Sequence, residues 1–305
     1  MDIRQLEVLR ELGELGSVKA VAEAMMVTPS AVSQQLTLLQ RSVRVPLTRK
    51  DGRNLVLTEA GEVLADAGAA VVAAMAQARA SIDAFQDAPD AAVTVSGFHS
   101  AGQALFAPLS RALSGPGQPM VQFTDEDVAQ QDFPALTARH DLVLAHRMEH
   151  SPPWPKDRVA VIELTREPLD VALPSGHPLA GQRELTAADV ATEPWVTSRP
   201  GYSPDDVLTA VAALASTPLR IVHRINDYST VAALVAGGGV LGLLPRYTSR
   251  AALSQQLPDG VVLRPLAGFD TRRCIDLLAR PEALERRSVR RVAEAFQDVM
   301  AALVD

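Results

Sequence analysis

The chain has 305 residues, 47% of them hydrophobic, enough to bury more than one core and to favour two or three structural units over one. Cys274 is the sole cysteine, which excludes an internal disulfide, and no apolar run reaches the roughly 18 consecutive residues of a membrane span. Met1-Asp-Ile-Arg-Gln carries no basic-plus-apolar leader of the secretory kind, so a cytoplasmic protein with no membrane partner is expected.

A net charge of −7 argues at first against nucleic acid, because phosphate binding requires a positive surface. Its distribution reverses the argument. Between residues 28 and 53, Arg41, Arg44, Arg49, Lys50 and Arg53 oppose Asp51 alone, a net of +4, whereas residues 87–305 hold 20 basic and 26 acidic residues, a net of −6. A basic patch on an otherwise acidic chain points to one DNA-contacting unit beside a unit with another task.

In chain order, Ile3, Leu6, Leu9 and Leu12 or Leu15 recur at helical spacing until Gly13 and Gly16 end the pattern. Ser17 caps a second helix whose buried side is Val18, Val21, Ala22 and Met25. After a turn of a few residues, Thr28 and Pro29 specify a third helix, as an N-cap followed by a proline whose missing N–H costs nothing in the first turn. Val32, Leu36, Leu39 and Val43 form its apolar stripe, leaving Ser30, Ser33, Gln34 and Thr37 on the opposite face, where short polar side chains suit base edges and phosphates. Two helices joined by so short a turn, the second exposing polar residues, make a helix-turn-helix. Residues 47–58 follow, with Asp51-Gly52 between two extended runs predicting a hairpin whose tip carries Arg49, Lys50 and Arg53, a basic wing suited to phosphate or the minor groove.

Val27-Thr-Pro-Ser-Ala-Val-Ser-Gln-Gln-Leu36, Val45-Pro-Leu47, Arg49 and Leu57-Thr-Glu-Ala-Gly61 occur here in the order and at the spacing of the N-terminal signature that they resemble, that of LysR-type transcriptional regulators. Gln40 stands where the family usually has an acidic residue, and Thr48 where it usually has Phe. The resemblance implies that Thr28, Pro29, Ser30, Ser33 and Gln34 face DNA and that Arg49 and Arg53 lie on the wing.

Thr58 caps a helix of nearly thirty residues, with Glu59 and Glu62 in its first turns and no proline until Pro89. Leu64, Val71, Ala78 and Phe85 repeat every seven residues, interleaved with Ala67, Ala74 and Ser81, a seam small enough for close helix approach. The family implies the same, a linker helix pairing two subunits into a homodimer, with further effector-domain contacts making a homotetramer. RNA polymerase is a further candidate partner.

Residues 87–90 read as a hinge, beyond which short apolar runs at 93–96, 121–124 and 142–145 alternate with helical patterns such as 103–113. That alternation predicts a mostly parallel α/β sheet with crossover helices. Runs at 159–164 and 169–173 begin a second set, continued at 195–197, 205–215, 221–222, 229–236 and 240–244. Residues 272–279 and a helix over 288–304 return to the first sheet. The expected organisation is a mainly α winged helix-turn-helix (1–58), a linker helix (59–88) and an effector-binding domain (89–305), with lobe I at about 89–158 and 268–305 and lobe II at about 159–267. The two α/β lobes resemble the periplasmic-binding-protein architecture of the family's effector domain, with Glu167-Pro-Leu, Gly176-His-Pro-Leu-Ala180 and residues 237–245 placed as in the family.

Small molecules in open α/β sheets bind beyond the carboxyl ends of strands, often at helix N-termini. His99 and Ser100 occupy such a place, as do Thr197, Ser198, Arg199 and Tyr202, with His146, Asp227 and Tyr228 as weaker candidates. A helix cap or a satisfied loop polar is the commoner role for any one of them. Together they fit a small-molecule effector cleft between the lobes.

His146-Arg-Met-Glu149-His150 matches H-x-x-E-H, but it follows a strand and runs into Ser151-Pro152-Pro153, leaving no room for a metal-binding helix. Gly237-Gly-Gly239-Val-Leu-Gly242 fits G-x-G-x-x-G, yet the helix precedes the glycines and the strand follows, the reverse of a dinucleotide fingerprint. No catalytic residue, metal site or cofactor is therefore assigned. A transport receptor would not need the first 86 residues, and an enzyme lacks a nucleophile elbow, a phosphate loop or a metal cluster.

Overall fold

Three short helices open the chain in the computed structural model, which describes residues 1–52, 54–85, 92–156, 158–249 and 259–304. Helix α1 (Ile3–Leu15) starts on a reciprocal cap, the Asp2 carboxylate accepting from the Gln5 N–H at 3.0 Å while the Gln5 amide oxygen accepts from the Asp2 N–H at 3.1 Å. It ends on Gly16 at φ 69°, the left-handed turn that glycine makes without strain. Ser17 caps α2 (Val18–Ala24), and Thr28 caps α3 (Pro29–Ser42) by accepting from the Ala31 N–H at 3.2 Å. Leu9, Leu12, Val21, Val32 and Leu39 bury one shared core, so each helix end and each buried face follows from local sequence.

Strands β1 (Thr48–Asp51) and β2 (Asn54–Leu57) form the expected hairpin, paired from Thr48 with Leu57 to Asp51 with Asn54 and turned at Gly52, φ 60°. Thr58 then donates to the Pro46 carbonyl at 2.7 Å and accepts from the Gly61 N–H at 3.1 Å, tying the hairpin base to the start of α4 (Glu59–Phe85). A Cβ on Gly61 would stand 2.1 Å from the Leu47 carbonyl oxygen, so this junction closes only on glycine. Ala65, Gly68 and Val72 of α4 face inward, with Gly68 against Leu6. Leu64 also packs on the helix-turn-helix core, which removes it from the outward seam read from the heptads. Val63, Val71, Met75 and Ile82 are exposed instead, alongside Ala67, Ala74 and Ala78. The side chains of Ser81 and Phe85 lie outside the described residues.

The remainder is α/β. Strands β3 (Val93–Gly97), β4 (Val121–Asp125) and β5 (Leu142–Met148) are parallel, with α5 (His99–Ala112) crossing between the first two and α6 (Phe133–Leu136) before the third. Then come β6 (Ala160–Pro174), α7 (Ala187–Val190), β7 (Pro194–Thr197), α8 (Ser203–Leu214), β8 (Arg220–Arg224), α9 (Tyr228–Ala236), β9 (Gly242–Pro245), β10 (Val261–Arg264), β11 (Arg272–Ala279) and α10 (Arg287–Val304). The main sheet runs β10-β6-β11-β5-β3-β4, with β9 also on β6, while β7 and β8 pair in parallel. Strands β6, β9, β10 and β11 pair antiparallel, so the sheet is mixed rather than mostly parallel. One lobe is built around Val95, Leu105, Leu144, Ile275 and Phe296. The other is built around Leu169 and Val171 of β6, with Trp195, Val211 and Leu243.

The two runs at 159–164 and 169–173 are a single strand. The first half of β6 pairs with β11, from Ala160 opposite Ala279 to Pro168 opposite Arg272, and the second half pairs with β9 and β10. Arg166-Glu167-Pro168 looks like a break because charge and proline usually end a strand. The strand continues because Glu167, 0% exposed, is met by Arg273 of β11, 1% exposed, at 2.8 Å. The sequence reading also missed α6, α7 and β10, all of four residues.

Candidate DNA-contacting face and effector cleft

Helix α3 is tied through Gln40 to the segment that leads into the hairpin. Thr28, Pro29, Ser30, Ser33 and Gln34 are all exposed, as is Arg49 on β1, while Arg53 lies outside the described residues. Ser33 donates to the Pro29 carbonyl at 3.0 Å and Thr37 to the Ser33 carbonyl at 2.8 Å, which fixes both rotamers and leaves their oxygens able to accept. Gln40 sets the hairpin's position: its Nε2 donates to the Val45 carbonyl at 2.9 Å and its Oε1 accepts from the Leu47 N–H at 2.8 Å. An amide performs both roles and a carboxylate only the second, which gives a physical meaning to the departure at this position.

Where the lobes meet, the strand ends bring together most of the predicted effector residues. His99, Ser100, His146, Ser198 and Tyr202 line a cavity of about 20 Å³, room for about one water by the usual measure. Direct contacts between the lobes fill the rest. His99 stands 3.0 Å from Asp125 of its own lobe through Nδ1 and 3.2 Å from Asp227 of the other through Nε2. Tyr202 donates to the Asp127 carbonyl at 2.9 Å, Asn226 to the Asp127 carboxylate at 3.0 Å, and His146 meets Ser203 at 3.0 Å. Asp227 caps α9 by accepting from the Thr230 N–H at 2.7 Å and lies at the rim through His99. Thr197 is buried at the end of β7, its hydroxyl without a partner among the described residues and outside the cavity wall.

The electrostatics differ between rim and floor. The hydrogen bond that Asp125 accepts holds the His99 imidazole above its ordinary pKa, whereas burial, reinforced by nearby Arg273, pushes His146 well below its own. Arg273 is the floor. Its guanidinium lies 5.2 Å from the Phe98 ring centre and 5.8 Å from that of Tyr228, one ring from each lobe, and it is neutralised by Glu167. Burial raises the Tyr228 hydroxyl to about 12. Tyr228 was among the weaker candidates, and Phe98, Asp127, Asn226 and Arg273 were not predicted as site residues. Their one signal is two consecutive arginines entering an apolar run at 272–279.

His146 belongs to β5 and not to a metal-binding helix, and no group of three metal-ligating side chains occurs among the described residues. Nor is any described helix long and apolar enough to cross a membrane. Cys274 is buried, and burial raises its thiol to about 12.

Residues 3–62 match the model for bacterial regulatory helix-turn-helix proteins of the lysR family, and residues 87–301 match the LysR substrate binding domain. The Hca operon transcriptional activator HcaR of Escherichia coli (strain K12) is 26% identical over 88% of each chain. Full-length OxyR from Pseudomonas aeruginosa shares the fold at a TM-score of 0.63 and 18% identity, over 97% of this chain and 95% of that one. Full-length CbnR, solved in complex with its target DNA, gives 0.51 and 19% over 97% of this chain and all of that one. The chain belongs to the LysR family, as a DNA-binding transcriptional regulator with a helix-turn-helix unit and an effector-binding domain.

Proposed function

We propose that Ser30, Ser33 and Gln34 read base edges in a major groove, that Thr28 and Pro29 bring the N-terminus of α3 to the backbone, and that Arg49, with Arg53 from the sequence reading, grips phosphate. The observation that carries this is the exposed polar face of α3, fixed beside the hairpin by Gln40. CbnR, whose solved complex holds its target DNA, supports it by likeness of fold. Residues 1–58 then form the DNA-binding unit, 59–88 the linker and 89–305 the effector domain. The exposed stripe of Val63, Val71, Met75 and Ile82 on α4 pairs two chains, and effector-domain contacts join dimers into a tetramer. A small molecule acts by prising open the cleft between the lobes, shifting the arrangement by its difference in affinity for the two states. The protein works in the cytoplasm, without catalysis.

Anisotropy titrations of the full chain with DNA from upstream of its own gene test this reading. Arg49→Ala lowers affinity for all sequences alike and reduces the salt slope by about one, whereas Gln34→Ala changes base preference by about 1–3 kcal/mol at one position. Equal effects of both variants on specific and random DNA would refute the division of roles.

A further inference from the structure

A second cavity of about 540 Å³ lies beside the cleft and shares no lining residue with it. Its size falls within the ~300–1,000 Å³ of small-molecule sites. Three parts of the chain wall it: α6 and the loop after β5 from one lobe, Gly201 and Asp206 from the other, and Glu14 from α1 of the helix-turn-helix.

Its apolar wall is aromatic and rigid. Trp154, flanked by Pro134, Pro152, Pro153 and Pro155, is held by its Nε1–H donating to Asp276 at 2.6 Å and by edge-on packing against Phe133, with centroids 6.4 Å apart at 88°. Its polar groups are unequal. Both acids are already engaged, Glu14 accepting from Arg280 at 3.0 Å and Asp206 from Gln130. Burial also raises both carboxyls from their ordinary values. Arg147 is under-used: its hydrogen bonds among the described residues are two of 3.3 Å, to the Met148 and Ser151 carbonyls. Its buried Nε has no acceptor and stands 3.8 Å from Asp276. A guanidinium so placed gains most from a carboxylate.

We infer that this cavity is a second ligand site, separate from the inter-lobe cleft, for a small aromatic carboxylate whose ring lies against Trp154 and whose carboxylate pairs with Arg147. Occupancy reaches the DNA-binding unit through Glu14, because Arg280 at the end of β11 binds both Glu14 and Glu11 of α1, and Arg10 binds Glu282 at 2.7 Å alongside. The coupling is reciprocal, so DNA binding alters affinity for the carboxylate.

Calorimetric titration of the full-length protein with phenylacetate and with its neutral isostere phenylacetamide tests the inference. Phenylacetate binds at millimolar concentration or tighter and phenylacetamide about tenfold more weakly or not at all. Ala135→Phe on α6, which fills the cavity without touching the ion pairs, abolishes binding while keeping a cooperative thermal transition. If that variant does not fold, tryptophan emission decides. Phenylacetate quenches the wild type but not Trp154→Phe, whose remaining tryptophan, Trp195, is fully buried in the other lobe. No binding at about 10 mM, equal affinity for acid and amide, unchanged binding to folded Ala135→Phe, or equal quenching of Trp154→Phe each overturns the assignment.

Discussion

Replacing Gln40 by alanine removes two short hydrogen bonds, of 2.9 Å to the Val45 carbonyl and 2.8 Å from the Leu47 N–H, and a long one of 3.5 Å to the Val43 carbonyl that adds little. They are not of equal weight. Val45 is exposed, so water replaces the amide at its carbonyl and the loss is about 0.5 kcal/mol. Leu47 is 2% exposed and its N–H is left without an acceptor, which costs about 1–2 kcal/mol. The expected sum for Gln40→Ala is about 2 kcal/mol, read as a lower midpoint at unchanged slope in urea denaturation followed by circular dichroism. DNA affinity falls for every sequence, because the hairpin bearing Arg49 loses its fixed position against α3. Gln40→Glu separates the two short bonds: it keeps the acceptor for Leu47 and loses the donor shared by the Val45 and Val43 carbonyls, so it costs about 0.5 kcal/mol. An alanine variant within about 0.5 kcal/mol of wild type, or a glutamate variant as damaging as alanine, would refute the reasoning.

Glu167→Gln leaves Arg273 buried with its charge uncompensated and should cost about 3–5 kcal/mol in urea denaturation, the range for a buried pair broken on one side. A change below about 1 kcal/mol would mean that the guanidinium reaches water. The inter-lobe contact of His99 should depend on pH. Its folded pKa is raised above the ordinary value near 6.5, so the bridge between Asp125 and Asp227 is fully present below pH ~6.5 and is lost as pH rises through the folded value. Small-angle scattering should report a more open effector domain at the alkaline end of that transition, and His99→Gln should flatten the response. An unchanged pH profile in that variant would assign the opening to other groups.

The DNA-binding unit was legible because its signals are local: Thr28 and Pro29 start a helix within two residues, and Asp51-Gly52 turns a hairpin by backbone preference alone. On α4, period alone could not tell inside from outside. The helix is apolar on two faces, and only packing on the helix-turn-helix core assigns Leu64 to one and Val63 to the other. In the cleft, strand ends and helix starts exposed His99, Ser100, Ser198 and Tyr202 to prediction. Arg273 and Glu167 stayed hidden because each reads as a surface charge until the fold sets it opposite a partner 106 residues away. The same pair explains the misread strand, since an ion pair across two strands leaves no periodic trace in either.

Strand β6 also limits how the two lobes can move. Its first half is laced to β11 and its second to β9 and β10, so sliding one lobe along the other would have to break a ladder or slip it by one residue, turning core side chains outward. Rotation about the junction at Glu167 and Pro168 needs neither. The lobes are thus geared like two pages on one spine, free to change angle and barred from changing register. A ligand wedged between them can report itself only as a change of angle.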